Sequence, residues 1–131
     1  MTLESRHLSE RIGRSAQEVY SYASDPANLP RWARGLGDSV EQVDGQWFAD
    51  TPAGRVRLAF APRNDFGILD HYVTLDSGEV IYIPMRVIAD ESGSEVLFTL
   101  RRQRGMTAAE FEADAEAVMA DLGRLKNILE G

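Results

Sequence analysis

His71 is the side chain best placed to do chemistry in this 131-residue chain, which has only one other histidine, His7, and no cysteine. A neutral imidazole can hydrogen-bond a ligand carbonyl or hydroxyl, or take a proton as a general base. The competing reading is a structural histidine bonded to a backbone carbonyl or to the terminal helix. Asp70 precedes His71, but neighbouring residues of a strand face opposite ways, which disfavours an Asp-His dyad. Arg102 lies in the basic run Arg101-Arg102-Gln103-Arg104 and is suited to an acidic ligand group. Its alternative is an ion pair with Glu110 or Glu112. Trp32, Tyr20, Tyr22 and Trp47 are of the type that lines small-molecule cavities, and for Trp32 and Tyr20 the competing role is packing of short helices on a sheet edge. Met85, Met106 and Met119 would make an adaptable apolar lining or simply core.

Other chemistries are excluded by composition and spacing. Without cysteine there are no disulfides, thiolate zinc sites or cysteine nucleophiles. Two histidines and no H-E-x-x-H make a histidine-rich metal site a poor fit. Gly35-Leu36-Gly37 lacks the third glycine and preceding strand of a dinucleotide fingerprint, and neither G-x-S-x-G nor a phosphate-binding loop is present. No cofactor and no metal are expected. The formal charge of −7, from 21 acidic and 14 basic residues, argues against nucleic acid as a partner. No apolar run approaches the roughly 20 residues of a membrane span, and Met1 to Glu10 has no secretory pattern, so no membrane insertion and a cytoplasmic location are expected. The oligomeric state is left open, a homodimer included.

The elements that position these residues can be read from period and punctuation. Arg6 to Ile12 alternates as a half-buried strand, with Leu8 and Ile12 on one side. Ser15 and Glu18 form a capping box before Ala16, Val19, Tyr20 and Ala23, so a short helix starts there and ends at Asp25-Pro26. A helical turn or ordered loop follows around Leu29, Trp32 and Leu36. From Ser39 to Gln103, Asp44-Gly45, Pro52 to Gly54, Asn64-Asp65, Asp76-Ser77-Gly78 and Ser92-Gly93 separate six strands. Thr107 with Glu110 caps a last helix whose apolar stripe is Phe111, Ala115, Val118, Leu122, Leu125 and Leu129, about 33 Å long. Gly123 interrupts it, either tolerated or permitting a bend or close approach. With 44% hydrophobic residues the chain can build a core, and its length fits one domain, residues 1–131. The class is α+β: a seven-stranded curved antiparallel sheet around the long C-terminal helix, with two short helices after the first strand.

Turn lengths also predict a register. A two-residue Asn64-Asp65 loop sets Phe60 against Leu69, Leu58 against His71 and Val56 against Val73. A three-residue Asp76-Ser77-Gly78 loop sets Val73 against Ile81, His71 against Ile83 and Leu69 against Met85. A Ser92-Gly93 turn sets Val87 against Phe98 and Met85 against Leu100. One face then carries the apolar residues with His71 among them. The other carries Arg55, Arg57, Asp70, Tyr72, Tyr82, Arg86, Thr99 and Arg101 as a mixed-charge exterior, where Arg57, Asp70 and Arg86 form an exposed ladder. Trp47 and Phe48 must face opposite ways.

The segment Arg11-Ile12-Gly13-Arg14-Ser15-Ala16-Gln17-Glu18-Val19-Tyr20, followed by Ser24-Asp25-Pro26-Ala27-Asn28-Leu29-Pro30-Arg31-Trp32, resembles the opening of the SRPBCC superfamily. That group holds the START-related lipid-transfer domains, polyketide cyclases and the birch-pollen allergen. Phe111, Asp121-Leu122 and Leu125-Lys126 resemble the terminal helix of small bacterial members of the polyketide cyclase or dehydrase branch. Leu69-Asp70-His71 and Pro84-Met85-Arg86-Val87 extend the likeness through the central strands. The resemblance implies a helix-grip fold enclosing a cavity for a small hydrophobic or aromatic ligand. Combined with the face assignment, it makes Leu58, Phe60, Leu69, His71, Val73, Ile83, Met85, Phe98, Leu100, Arg102, Val118 and Leu122 the candidate ligand-binding residues and His71 the candidate catalytic one. It equally accommodates a non-catalytic carrier of lipid or other hydrophobic ligand, or a co-chaperone-like interaction module. The last would have a filled interior and an exposed apolar patch.

Overall fold

The computed structural model describes residues 4–36, 39–52 and 54–131. Met1 to Leu3, Gly37 of the expected loop and Ala53 of the expected turn lie outside the described residues. The chain runs β1 (Ser5–Ile12), α1 (Ala16–Ala23), 3-10 turns at Pro26–Asn28 and Arg34–Leu36 flanking α2 (Leu29–Trp32), then β2 (Val40–Val43), β3 (Gln46–Thr51), β4 (Gly54–Phe60), β5 (His71–Thr74), β6 (Val80–Ile83), β7 (Met85–Asp90), β8 (Gly93–Arg101) and α3 (Ala108–Glu130). Among these residues no helix is long and apolar enough to cross a membrane.

Local signals act where they were read. Ser15 Oγ accepts the Glu18 amide at 3.2 Å, and Val19, Tyr20 and Ala23 turn inward from α1. Thr107 and Glu110 close both halves of the capping box on α3. Asp44 and Gly45, at φ 52° and 80°, make the tight β2–β3 turn that sets Val43 against Gln46. The Asp76-Ser77-Gly78 loop gives the expected β5–β6 register, His71 against Ile83 and Val73 against Ile81.

The strand count differs from expectation: eight strands in two antiparallel sheets, ordered β1-β8-β7 and β2-β3-β4-β5-β6. The cause is Pro84, which has no N–H to donate to a ladder. Residues 80–90 therefore divide, with β6 pairing with β5 and β7 with β8. Asp70 bridges the break. Its carboxylate accepts the Met85 amide at 2.8 Å, the Tyr82 hydroxyl at 2.9 Å and the Arg86 guanidinium, which hold it below the usual carboxylate range against the opposing cost of desolvation. With its side chain only 16% exposed, Asp70 is a junction and not a rung of an exposed ladder.

Two registers shift by two residues. In β4–β5, Phe60 faces His71 and Leu58 faces Val73. Asn64-Asp65 is no two-residue turn, because Asn64 organises a longer loop. Its Oδ1 accepts the amides of Phe66 and Ile68, its Nδ2 donates to the carbonyls of Pro62 and Ile68, and its own amide donates to the Tyr20 hydroxyl. In β7–β8, Met85 faces Phe98 and Val87 faces Val96, since the turn is Glu91-Ser92. Gly93 serves close approach instead: a Cβ there would lie 2.5 Å from the Ile12 carbonyl oxygen. A shift of two leaves every side chain on its predicted face.

The buried face of α3 is Phe111, Ala115, Leu122 and Leu125, and the last three join one core with Ile12, Val19, Leu69 and Val96. Both ends of α3 are tied down. Arg6 pairs with Glu112 at 2.8 Å near the start. At the far end Glu130 accepts the Gly13 amide at 2.7 Å, Lys126 donates to the Arg11 carbonyl and Arg14 to that of Leu129. Nothing stands within 4 Å of a Cβ built on Gly123, and α3 runs on through it, so close approach is not its role.

Gly67 tests the Asn64 loop. It sits at φ +71°, where a Cβ would lie 2.3 Å from the Val87 carbonyl oxygen. Gly67→Ala should lower the unfolding free energy in urea by about 2 kcal/mol or more. A loss below about 0.5 kcal/mol, the range of neutral surface changes, would show that the loop is not pinned to β7.

Candidate ligand-binding site

Between the concave sheet, α2 and the middle of α3 lies a cavity of about 340 Å³. The sheet contributes Phe60, Leu69, His71, Val73, Ile81, Ile83, Met85, Phe98 and Leu100. The helix contributes Ala117, Val118 and Leu122, and the α2 segment Leu29, Trp32 and Ala33. Strand alternation produces this wall, since the inward residues of β5, β7 and β8 carry apolar side chains apart from His71 and Ser94.

His71 is 7% exposed and is the ionisable side chain of the cavity floor. Nδ1 lies 2.9 Å from the Leu69 carbonyl oxygen, which can only accept, so Nδ1 carries the proton and Nε2 the lone pair. Nε2 has no hydrogen-bond partner among the described residues. Phe60 stacks on the ring at 5.1 Å between centroids, and Phe98 meets it edgewise at 6.2 Å. Burial pushes the imidazole below the ordinary histidine range, more strongly than the Leu69 bond and Asp70 raise it. The backbone-bonded reading holds at Nδ1, and Nε2 is left open. Nε2 can accept from a hydroxyl or N–H; in this tautomer it cannot donate to a carbonyl. Asp70 faces away, as strand alternation predicts.

Of the sequence-derived candidates, Phe60, Leu69, His71, Val73, Ile83, Met85, Phe98, Leu100, Val118 and Leu122 line the cavity, and Leu58 and Arg102 do not. Leu58 is buried opposite Trp47, because the shifted register puts Phe60, and not Leu58, beside His71. Arg102 lies just past β8, where strand alternation has ended. It donates through Nε to the Met106 carbonyl and through Nη1 to Glu4, neither of the partners expected for it. Arg101, assigned to the exterior, reaches the cavity mouth with Gln103. Of the four aromatics only Trp32 lines the cavity. Tyr20 holds the Asn64 loop, Trp47 shares the inward face with Ala49, and Phe48 turns outward beneath Arg55. Met85 and Met106 are in the lining, while Met119 is exposed.

Asp114 and Asp121 were missed. Their spacing to Val118 and Leu122 puts them on the cavity edge of α3, a signal available in the helical period. Asp121 accepts the Arg34 amide at 3.3 Å and pairs closely with Arg124, whose Nε donates to the Trp32 carbonyl at 3.2 Å. These contacts latch the α2 segment onto α3. Burial nevertheless raises the Asp121 carboxyl above its usual range. Asp114 is raised by desolvation and then by Glu110, and makes no hydrogen bond or ion pair among the described residues.

A sheet packed over a long terminal helix is also the architecture of several solved structures. An uncharacterized protein from Bacillus thuringiensis superposes with a TM-score of 0.77 at 16% identity, over 98% of this chain and 100% of its own. Ara h 8.0201 does so at 0.69 and 11% identity over 98% of both chains. BexL, a di-domain ARO/CYC from the BE-7585A biosynthetic pathway, matches at 0.68 and 16% identity over 98% of this chain and 50% of that one. The fold is the helix-grip fold that these structures share. No family model matches this sequence, and no curated protein does. These identities carry the helix-grip architecture and leave the cavity's chemistry to its own residues.

The state of His71 ties this helix-grip domain's stability to pH. An unfolded histidine titrates near about 6.5, and the folded one below it, so between those values only the unfolded chain binds the proton. Stability is fully present above about pH 6.5 and falls as pH drops, by up to about 1.4 kcal/mol per unit. Urea unfolding at pH 7.5 and 5.5 should show a larger loss in the wild type than in His71→Phe. Equal losses would mean that His71 is not held neutral.

Proposed function

We propose that the protein, acting through residues 1–131 as one ligand-binding unit, takes up a small hydrophobic or aromatic molecule between the sheet and α3. The carrying observation is the apolar cavity of about 340 Å³ with one open hydrogen-bond acceptor, His71 Nε2, on its floor. Ligand pockets typically occupy about 300–1,000 Å³, apolar with a few polar groups that fix orientation. Phe60, Leu69, Val73, Ile83, Met85, Phe98, Leu100, Val118 and Leu122 are the contact residues in this reading, and His71 orients the ligand. A co-chaperone-like module would instead need a filled interior.

A catalytic version, of the polyketide cyclase type, is favoured by the same open Nε2. The imidazole would take a proton from the carbon between two carbonyls of a bound polyketone. The resulting enolate would attack a further carbonyl carbon, forming the ring C–C bond, and the proton would return to the new alkoxide. Most of the rate would come from holding the flexible chain in one geometry. ARO/CYC is how BexL is described. Binding without turnover requires less of the site, and incubation with a polyketone substrate distinguishes the two.

Titration with 1-naphthol, followed by fluorescence, should show saturable one-to-one binding. Val118→Trp, which plugs the cavity, should abolish it while cooperative unfolding persists. His71→Phe keeps the ring stack but removes the acceptor, and should lower the preference for 1-naphthol over 1-methylnaphthalene about fivefold. If neither probe binds, or if Val118→Trp binds as well as the wild type, the cavity is not a ligand site.

A further inference from the structure

Of the buried residues that line the cavity, only His71 and Trp32 carry a side-chain nitrogen or oxygen. They are opposites in hydrogen bonding. His71, 7% exposed, has Nδ1 engaged by the Leu69 carbonyl and offers a lone pair at Nε2. Trp32, 5% exposed, has an indole Nε1 that can only donate, buried with no partner among the described residues. Each side chain is held in place. Phe60 stacks on the imidazole, and Trp32 ends α2, where its carbonyl accepts Arg124 Nε at 3.2 Å. A buried donor or acceptor left unmet costs free energy, and a ligand that meets it recovers that cost. The other polar side chains of the lining are engaged or wet. Tyr82 donates to Asp70, Gln103 to the Arg101 carbonyl, and Asp121 pairs with Arg124. Asp114 and Arg101, one charge of each sign, are exposed at the edge.

We propose that the cavity takes uncharged molecules that carry both a hydrogen-bond donor and an acceptor on an apolar body, the class of hydroxy ketones, with the ligand hydroxyl donating to His71 Nε2 and its carbonyl accepting from Trp32 Nε1. This rests on the ligand-binding reading above and adds to it a second anchor and a chemical class. A hydrocarbon would leave both buried groups unmet, and a molecule with one polar group would meet only one of them. An ionised group carried inside would find no counter-ion there, since the indole does not ionise and burial keeps the imidazole neutral. The exposed edge offers no preference of sign, because Asp114 and Arg101 oppose each other. Selection by the interior is therefore by the pattern of donor and acceptor.

The test is calorimetric titration of the intact protein at pH 7 with three compounds of one skeleton: 4-(4-hydroxyphenyl)butan-2-one, which has both groups, 4-phenylbutan-2-one, which lacks the hydroxyl, and 4-butylphenol, which lacks the carbonyl. Their flexible chain lets the two groups adjust to the two anchors. The hydroxy ketone should bind about fivefold tighter than either of the others, the size of one net hydrogen bond. His71→Phe should erase its advantage over 4-phenylbutan-2-one and keep that over 4-butylphenol, and Trp32→Phe should do the reverse. In the wild type the indole proton resonance of Trp32 should move downfield with either ketone and stay put with 4-butylphenol, a readout that needs no variant. The proposal is overturned if the crossed loss is absent or if the indole proton ignores both ketones. It is equally overturned if 3-(4-hydroxyphenyl)propionate outbinds the hydroxy ketone, which would give that end of the ligand to Arg101. If the three compounds bind alike, the two-anchor proposal fails and the ligand-binding reading survives. If none binds, both fall.

Discussion

A proline in the middle of a would-be strand governs this architecture. Pro84 has no hydrogen to give the ladder, so β6 and β7 are separate strands: β6 pairs with β5, and β7 pairs with β8 on one side and, through Ile68 and Arg86, with the segment leading into β5 on the other. Left alone, such a break would expose unpaired backbone at the centre of a sheet. Asp70 prevents this by taking the Met85 amide on the far side of the proline and the Tyr82 hydroxyl on the near side, while Pro84 itself accepts from the Thr99 amide. The residue that closes the break is the immediate neighbour of His71. The period of two therefore places one side chain of the pair at the outer junction and the next on the cavity floor.

The second requirement is a helix that covers the sheet without filling its concavity. α3 meets that requirement through its ends. The capping box and the Arg6–Glu112 pair fix the start; Glu130, Lys126 and Arg14 fix the finish against the turn after β1. Between them Leu122 and Leu125 are wholly buried, whereas Val118 is half-buried and Ala117 exposed at the cavity mouth. The α2 segment closes one side, held to α3 through Asp121 and Arg124.

The chemistry of the cavity follows from what an apolar enclosure tolerates. A charged imidazole on its floor would be costly, so His71 stays neutral and uses Nδ1 on a backbone carbonyl. That bond decides which nitrogen is left without a partner and that it can only accept. The carboxylates are tolerated because they lie at the edge, one with its own arginine and one near solvent. The lining thus keeps few polar groups, the open His71 Nε2 and the buried Trp32 indole N–H among them. Catalysis would have to come from the single imidazole and from orientation.

Much of this was legible in the residue order. The caps at Ser15 and Thr107, the Asp44-Gly45 turn, the stripe of α3 and the inward face of the central strands are local signals, each set by a backbone period or a side chain reaching its own backbone. Face assignment survived two register shifts because both were even. Which residues touch was not legible. Asn64 wound a longer loop through bonds to Tyr20 and Ile68, which moved Phe60 next to His71 and sent Leu58 elsewhere. Arg102 was drawn to Glu4, more than ninety residues away in the chain. Asp114 and Asp121 gained meaning only when α3 was suspended over the sheet. By itself the sequence determined the elements, their faces and the presence of one histidine among apolar neighbours, because these depend on contacts within a few residues. The tertiary structure decided the registers, the protonated nitrogen of His71 and the existence of the cavity, because each depends on groups far apart in the chain competing for the same hydrogen bonds and the same space.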